Sequence, residues 1–463
     1  MKDLSHSSFE PKPLHVLVLP SDDRPLDAQT TDAVGKVMQA ILAPQDHFTI
    51  GDLQALERPD EWDAAVVWAP CGSSITAGPL ADAAVPSFAV APPLVFHPFF
   101  AAFYREVERR GGITLPADDP QTIAASLQAV RARKTLRGMR LIVVDAHADD
   151  RRASEIAAFA LGCRERFGVE VLHRSAGELQ AQAAAVEDEA ADRVLERWGS
   201  ELFEGPGEMD APHMRQVAKL YLAERALLDE TGAVGITVDD IGAFLVVSPS
   251  HVMPNVTYAA LVCEGALACE EGDIEALTSE LLLRVGLGAH PTMSNIYLAF
   301  RDEFDALGTQ EGYTFERERA DFQQCVRDGH LVAAHFSASG VLPRDMMEEE
   351  RYQVRQTLPA WPGQSMIAST PRLGPVVLAR LTPDAGGIHL VPGQVDSRTV
   401  DDRFGWYRGR WFILVPSVPQ FIAECLHQHY AIGPENGRMK TLEILAERLL
   451  RLSVTAGHGK NVL

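Results

Sequence analysis

The sequence is poor in basic residues and has no long apolar run. Its 463 residues include 42 Lys and Arg against 64 Asp and Glu, which gives a formal net charge of −22. A chain of that sign is not built to neutralise phosphates, so nucleic acid and anionic membranes are not expected partners. The apolar runs, such as residues 412–415, fall far short of the ~20 residues that a membrane-spanning helix needs. We therefore expect a folded, soluble globular protein.

Cysteine and targeting signals are also scarce. The six cysteines are scattered without a CxxC pair, which predicts reduced thiols rather than disulfides. Residues 1–13 are polar and lack the apolar stretch of a secretory signal, so a cytoplasmic location is expected. Neither a P-loop nor a GxGxxG motif follows the first predicted strand, and nucleotide binding has no support.

Two α/β units followed by a domain of a different kind are predicted. Short β-branched and Leu-rich runs alternate with helical patterns through the first half, which is typical of parallel sheets. We expect Rossmann-like domains over residues 1–137 and 138–262. Strand-like segments separated by Gly and Pro turns then predict a mixed or antiparallel β domain over residues 263–463.

An acidic turn opens a predicted helix over residues 273–285. Glu270, Glu271 and Asp273 crowd this turn, and Asp273 is a plausible N-cap. Carboxylates in a first helical turn complement the helix dipole. Helix capping alone can therefore account for the acidic turn.

The same region resembles the L-fucose isomerase family and the related L-arabinose isomerases. In that family a Cys-Glu-x-Asp motif opens a helix and a Gly-x-Pro segment follows. Residues 268–279 and 288–291 resemble this pattern, with Cys-Glu-Glu-Gly-Asp and Gly-Ala-His-Pro in the corresponding places. Segments 233–240, 372–381 and 426–433 are similar to further parts of the family pattern, in the same order. The resemblance implies two Rossmann-like domains, a mixed α+β C-terminal domain and a homo-oligomer, a trimer or hexamer. It also implies a divalent metal, expected to be Mn²⁺.

The resemblance assigns residues to that site. It implies that Glu271 is a metal ligand and catalytic base and that His429 is the metal histidine. Asn295 stands where the family has its second acidic ligand, and we expect it to be a neutral metal ligand or a substrate contact. The residues expected to contact the substrate are Arg24, which reaches a neighbouring subunit's site, together with His335, His427 and Trp406. The alternative for His335 is a position in the core, and the alternative for Trp406 is a packing role without substrate contact.

Asn295 is the main departure from the family pattern. An amide oxygen can bind a hard cation, but it is neutral and cannot accept a proton as a carboxylate does. Three carboxylates shortly after it either compensate or begin an exposed helix: Asp302, Glu303 and Asp305.

The expected function is a divergent, metal-dependent ketol isomerase that converts a sugar or a sugar-derived acid through an enediol. Such a reaction needs a cation to polarise the carbonyl group and acid/base groups to move protons. The same site could instead serve an epimerase, lyase or decarboxylase acting on a sugar acid. A further alternative is a carbohydrate-binding protein that has kept the cleft without catalysis.

Overall fold

The chain divides into two compact units in a computed structural model. One unit comprises residues 10–138, 164–168 and 437–463, and the other comprises residues 1–9, 139–163 and 169–436. The predicted boundary at residue 262 stays a prediction. The structure describes residues 9–21, 26–68, 76–90, 100–145, 150–204, 211–239, 255–297, 320, 323–334, 342–348, 350–356, 365–400, 411–425 and 427–449.

The unit that contains residues 10–138 is built on a four-stranded parallel sheet of order β2-β1-β3-β4. Its central strands are almost entirely apolar, as expected for strands covered on both faces. The strands are β1 (His15–Pro20), β2 (His47–Ile50), β3 (Ala64–Trp68) and β4 (Ser87–Val90). The helices are α1 (Ala28–Ile41), α2 (Ala77–Ala83), α3 (Phe100–Arg109) and α4 (Pro120–Leu136), with α12 (Met439–Ile444) near the C-terminus.

The other unit contains a second four-stranded parallel sheet, of order β6-β5-β8-β9. Its strands are β5 (Arg140–Asp145), β6 (Glu170–Ser175), β8 (Gly235–Val238) and β9 (Leu267–Cys269). The associated helices are α5 (Asp150–Phe167), α6 (Ala176–Ala184), α7 (Asp188–Glu201), α8 (Ala211–Thr231) and α9 (Asn255–Cys263). A small three-stranded sheet is formed by β7 (Phe203–Glu204), β12 (Tyr352–Gln356) and β13 (Ser365–Ala368).

The same unit holds a closed, six-stranded antiparallel barrel of order β10-β11-β16-β15-β14-β17. Its strands are β10 (Thr292–Tyr297), β11 (His330–Ala334), β14 (Gly374–Leu381), β15 (Ile388–Val395), β16 (Trp411–Leu414) and β17 (His429–Pro434), and α11 (Val418–Glu424) precedes β17. The predicted parallel sheets are therefore confirmed. The predicted mixed α+β C-terminal domain is corrected to a closed barrel, because each strand finds an antiparallel partner on both sides.

One helix joins the parallel sheet to the barrel. Helix α10 (Ile274–Leu287) packs against β8 and β9 on one side and against β10, β14 and β17 on the other. It is buried on nearly all of its faces, which explains why its apolar residues are not confined to one stripe. Asp273 caps its N-terminus, and Gly288 ends it with φ of 70°, a left-handed backbone that glycine adopts without strain.

The other general expectations can be compared with the described residues. Helices of the described ranges all lack the length and apolarity needed to cross a membrane. Five cysteines of the described residues are free thiols: Cys163, Cys263, Cys269, Cys325 and Cys425. Cys71 lies outside the described residues.

Candidate metal centre

The loop between β9 and α10 has an unusual backbone. Glu271 and Gly272 both adopt left-handed conformations, with φ of 64° and 63°. Such a conformation is costly for a residue with a side chain, and strain of this kind concentrates at functional sites. The loop is held by the Gly272 N–H, which donates to Val238 O at 2.9 Å, and by Arg152, which donates to Gly272 O at 3.0 Å. These contacts fix the direction in which the Glu271 carboxylate leaves the backbone.

Two barrel strands face this loop with polar side chains. Asn295 on β10 lies directly opposite His429 on β17 in the antiparallel register, so both side chains project from the same face. Both are buried, with 4% and 2% exposure. Among the described residues, Asn295 Oδ1 has no hydrogen-bond partner. A buried carbonyl oxygen without a partner is rare and indicates a missing water, ion or ligand.

The imidazole ring of His429 lies between two carboxylates. Its Nδ1 is 2.7 Å from Asp273 Oδ2, and its Nε2 is 3.1 Å from Glu271 Oε2. The side-chain amide of Gln428 is also 3.2 Å from Nε2. The short contact to an ionised carboxylate indicates that Nδ1 carries the proton and donates. Nε2 is then the atom that can carry a second proton or offer a lone pair to a cation.

Asp273 is held in turn by Arg380 on β14. One guanidinium nitrogen lies 2.8 Å from Oδ1 and 2.7 Å from Oδ2, and both side chains are only 6% exposed. Asp273 Oδ1 also accepts the N–H of Ala276 at 2.8 Å, which is the N-cap bond of α10. The carboxylate that caps the helix therefore also orients His429.

Charge and burial act against each other in this cluster. Burial alone raises the pKa of Asp273, but Arg380 and then His429 overcome it and hold that pKa well below its usual range. Burial alone lowers the pKa of His429, but hydrogen bonds to Asp273 and Glu271 raise it above 6.5. Asp273 is therefore ionised, and the imidazole ring of His429 binds a proton more readily than that of a free histidine.

His427 borders the cluster and is 46% exposed at its side chain. Its ring packs edge-on against His429, with ring centroids 4.7 Å apart, and its Nδ1 accepts the backbone N–H of His429 at 3.2 Å. Burial of the ring and the nearby Arg380 lower the pKa of His427 to about 4. The ring is therefore neutral at pH 7 and presents an Nε2–H donor, which suits the predicted contact with substrate.

The residues present fit a divalent cation in two overlapping ways. Asp273, His427 and His429 each offer one ligand atom, all within 4.8 Å of one another. However, Asp273 Oδ2 already accepts hydrogen bonds from Arg380 and His429, and a cation there would have to displace them. On the other side of the ring, His429 Nε2 and Glu271 Oε2 are 3.1 Å apart, the spacing of neighbouring ligands bound at about 2.1 Å and at right angles. The unpartnered oxygen of Asn295 favours this second arrangement.

The predicted site residues are brought together in part. Glu271 and His429 are in direct contact, Asn295 is the cross-strand neighbour of His429, and His427 packs on it. The remaining predicted residues lie outside the described part of the chain: Arg24, His335, Trp406, Asp302, Glu303 and Asp305.

Sequence reasoning missed two members of the cluster. The sequence predicts Asp273 only as the cap of α10, and it assigns Arg380 no contact with the metal-binding residues. The acidic turn was a signal for Asp273, because a third carboxylate beside two others can do more than cap a helix. Nothing local marks Arg380, which meets Asp273 across 107 positions of sequence.

Neither a protein-family model nor a curated protein sequence matches this chain. Among solved structures, the chain is similar to a crystal structure described as a two-component system response regulator/GGDEF domain protein. The two are 14% identical, the match covers 56% of this chain and 91% of that chain, and the TM-score is 0.23. A similarity of that size carries no argument about fold or function.

Proposed function

We propose that this protein is a divalent-metal-dependent ketol isomerase that acts on a sugar or a sugar-derived acid, as the resemblance to the L-fucose isomerase family implies. The observation that supports it most is the position of His429 between Glu271 and Asp273, opposite the unpartnered oxygen of Asn295. The proposal includes the metal, expected to be Mn²⁺, and an oligomeric assembly.

Glu271, Asn295 and His429 would hold the cation. A bound divalent ion polarises a carbonyl group and an adjacent hydroxyl group, which makes the hydrogen on the neighbouring carbon more acidic. Asp273 orients His429 through Nδ1, as carboxylates commonly do for metal-bound histidines. Arg380 keeps Asp273 ionised and in place.

The protein's own residues also supply contacts beyond the cation. His427 offers a neutral N–H donor at the exposed edge of the cluster, where a substrate hydroxyl or carbonyl oxygen can accept it. The left-handed backbone at Glu271 directs a carboxylate toward the same space. In this proposal Glu271 both binds the cation and accepts a proton from carbon.

The test is a turnover assay on a panel of aldoses and sugar acids with added Mn²⁺, in which ketose formation and deuterium uptake from solvent are followed. We expect turnover by the wild-type protein and its loss in Glu271→Gln. Metal-dependent deuterium uptake without ketose formation would favour an epimerase. Release of a fragment or of CO₂ would favour a lyase or decarboxylase. Sugar binding without any turnover would instead indicate a carbohydrate-binding protein without catalytic activity.

A further inference from the structure

A buried carboxyl group on α10 is not used by the site described above. Glu280 is 1% exposed, and neither of its carboxyl oxygens accepts a hydrogen bond of ordinary geometry from the described residues. It follows Asp273 by seven residues, which places both on nearly the same side of the helix. Its neighbours in sequence, Leu281 to Leu283, are apolar and buried, as the rest of this helix predicts. A leucine or methionine at position 280 would avoid the cost of burying an unpaired polar group.

Glu280 faces the barrel strand that carries Asn295. The backbone N–H of Met293 is directed toward the Glu280 carboxyl group and favours its ionised form, but burial and the charge of Asp273 outweigh it. The pKa of Glu280 is therefore raised well above its usual range, which favours the protonated, neutral form of the group. Met293 and Asn295 are two residues apart on one strand, so they project from the same face of β10.

Two unpartnered polar groups thus lie in one interface. Within the described part of the chain, Glu280 on α10 and Asn295 on β10 are both buried without hydrogen bonds to their carboxyl and carbonyl oxygens; the two elements pack against each other, and Asn295 lies opposite His429. Unpaired groups of this kind are commonly satisfied by ordered water. Water held between α10 and β10 would connect the Glu280 carboxyl group to the site.

We propose that Glu280 is the proton carrier of this site and takes the place of the carboxylate that Asn295 does not provide. The inference rests on the proposed function. In a ketol isomerisation one carbon loses a proton and its neighbour gains one, while the hydroxyl proton leaves one oxygen and a proton joins the other. Glu280 gives its proton, through water, to the oxygen that becomes a hydroxyl group. It regains one from the oxygen that becomes a carbonyl group, so no external oxidant or reductant is needed.

The experiment compares four proteins with Mn²⁺ present: wild type, Glu280→Gln, Asn295→Asp and the double variant. Glutamine keeps the size and burial of position 280 but cannot carry the proton. We expect Glu280→Gln to lower kcat by about 100-fold or more, with Mn²⁺ affinity and thermal stability retained. In the Asn295→Asp background, which restores a carboxylate, the same change should lower kcat less than about threefold.

The matched control is Glu224→Gln, which alters another fully buried glutamate, on α8. It should leave kcat unchanged. The infrared band of a protonated carboxyl group at pH 7 should weaken in Glu280→Gln, a readout that does not need turnover.

The outcomes separate the two proposals. Wild-type protein that turns over no sugar or sugar acid overturns the proposed function, and the role of Glu280 fails with it. An active wild type with an equally active Glu280→Gln variant overturns only the role of Glu280. A loss of activity that Asn295→Asp does not rescue, or that accompanies loss of Mn²⁺ binding, shows that Glu280 is structural and also overturns its role as proton carrier.

Discussion

The buried pair of Arg380 and Asp273 offers the sharpest energetic prediction. Arg380→Met keeps the length and apolar stem of the side chain but removes the guanidinium group. Both partners are 6% exposed, so water screens their interaction only weakly. Removing one partner of such a pair leaves an uncompensated buried charge and costs about 3–5 kcal/mol. We expect the lower end of that range, because Asp273 keeps its hydrogen bonds from His429 and from the Ala276 N–H.

Urea unfolding of the protein, followed through the transition of the unit that contains α10, measures this cost in unfolding free energy. The variants are Arg380→Met, Asp273→Asn and the double variant, compared with wild type. Asn is also a good N-cap, so Asp273→Asn preserves the start of α10 while it removes the charge. We expect each single variant to lose more than about 2 kcal/mol of unfolding free energy, and the double variant to lose less than their sum.

The pH dependence gives an independent check on the same pair. The folded-state pKa of Asp273 is depressed, so its contribution to stability is present above its unfolded pKa of about 3.8 and is lost as the pH falls through the lower folded value. The difference in unfolding free energy between wild type and Arg380→Met should therefore become smaller below about pH 4. Two results would refute the reasoning. One is a loss of less than about 1 kcal/mol of unfolding free energy in Arg380→Met at pH 7. The other is a loss in the double variant that equals the sum of the losses in the two single variants.

Two further predictions concern Gly272 and His290. A Cβ at Gly272 would lie 3.2 Å from Asp239 Cβ, with φ at +63°, so Gly272→Ala should lose about 2 kcal/mol or more of unfolding free energy and bind Mn²⁺ more weakly. The control is Gly232→Ala, because Gly232 has a similar φ of +66° but its nearest neighbour lies at 4.0 Å. This variant should lose only about 1 kcal/mol in the same urea assay and should leave Mn²⁺ binding unchanged. Burial lowers the pKa of His290 to about 4, below its unfolded value of 6.5. As the pH falls, the unfolded chain therefore binds this proton before the folded protein does. The free energy of unfolding should decrease between pH 6.5 and 4, by up to about 3 kcal/mol. In His290→Asn this part of the profile should flatten, and an unchanged urea profile in that variant would count against the argument.

The sequence predicted local structure well where one pattern determines it. The apolar runs at residues 15–20 and 64–68 coincide with β1 and β3. Asp273 begins α10 as a cap, as its position before an apolar run indicates. These features depend on residues that are neighbours in sequence, and hydrophobic periodicity reports on such neighbours directly.

Long-range pairing could not be read from the sequence. The barrel closes because β17 pairs with both β10 and β14, and no strand pattern states which partner it will take. The same is true of the contact between Arg380 and Asp273. The resemblance to a family suggested Glu271 and His429, but the unpartnered state of Glu280 and Asn295 is visible only once α10 is packed against β10.

Calorimetric titration of Mn²⁺ into metal-free protein tests the central claim most directly. The proteins are wild type, Glu271→Gln and His427→Gln. We predict one site per chain in wild type, an affinity at least about 10-fold weaker in Glu271→Gln, and an affinity within about threefold of wild type in His427→Gln. Absence of binding in wild type would contradict the account, as would binding that survives in Glu271→Gln and is lost in His427→Gln.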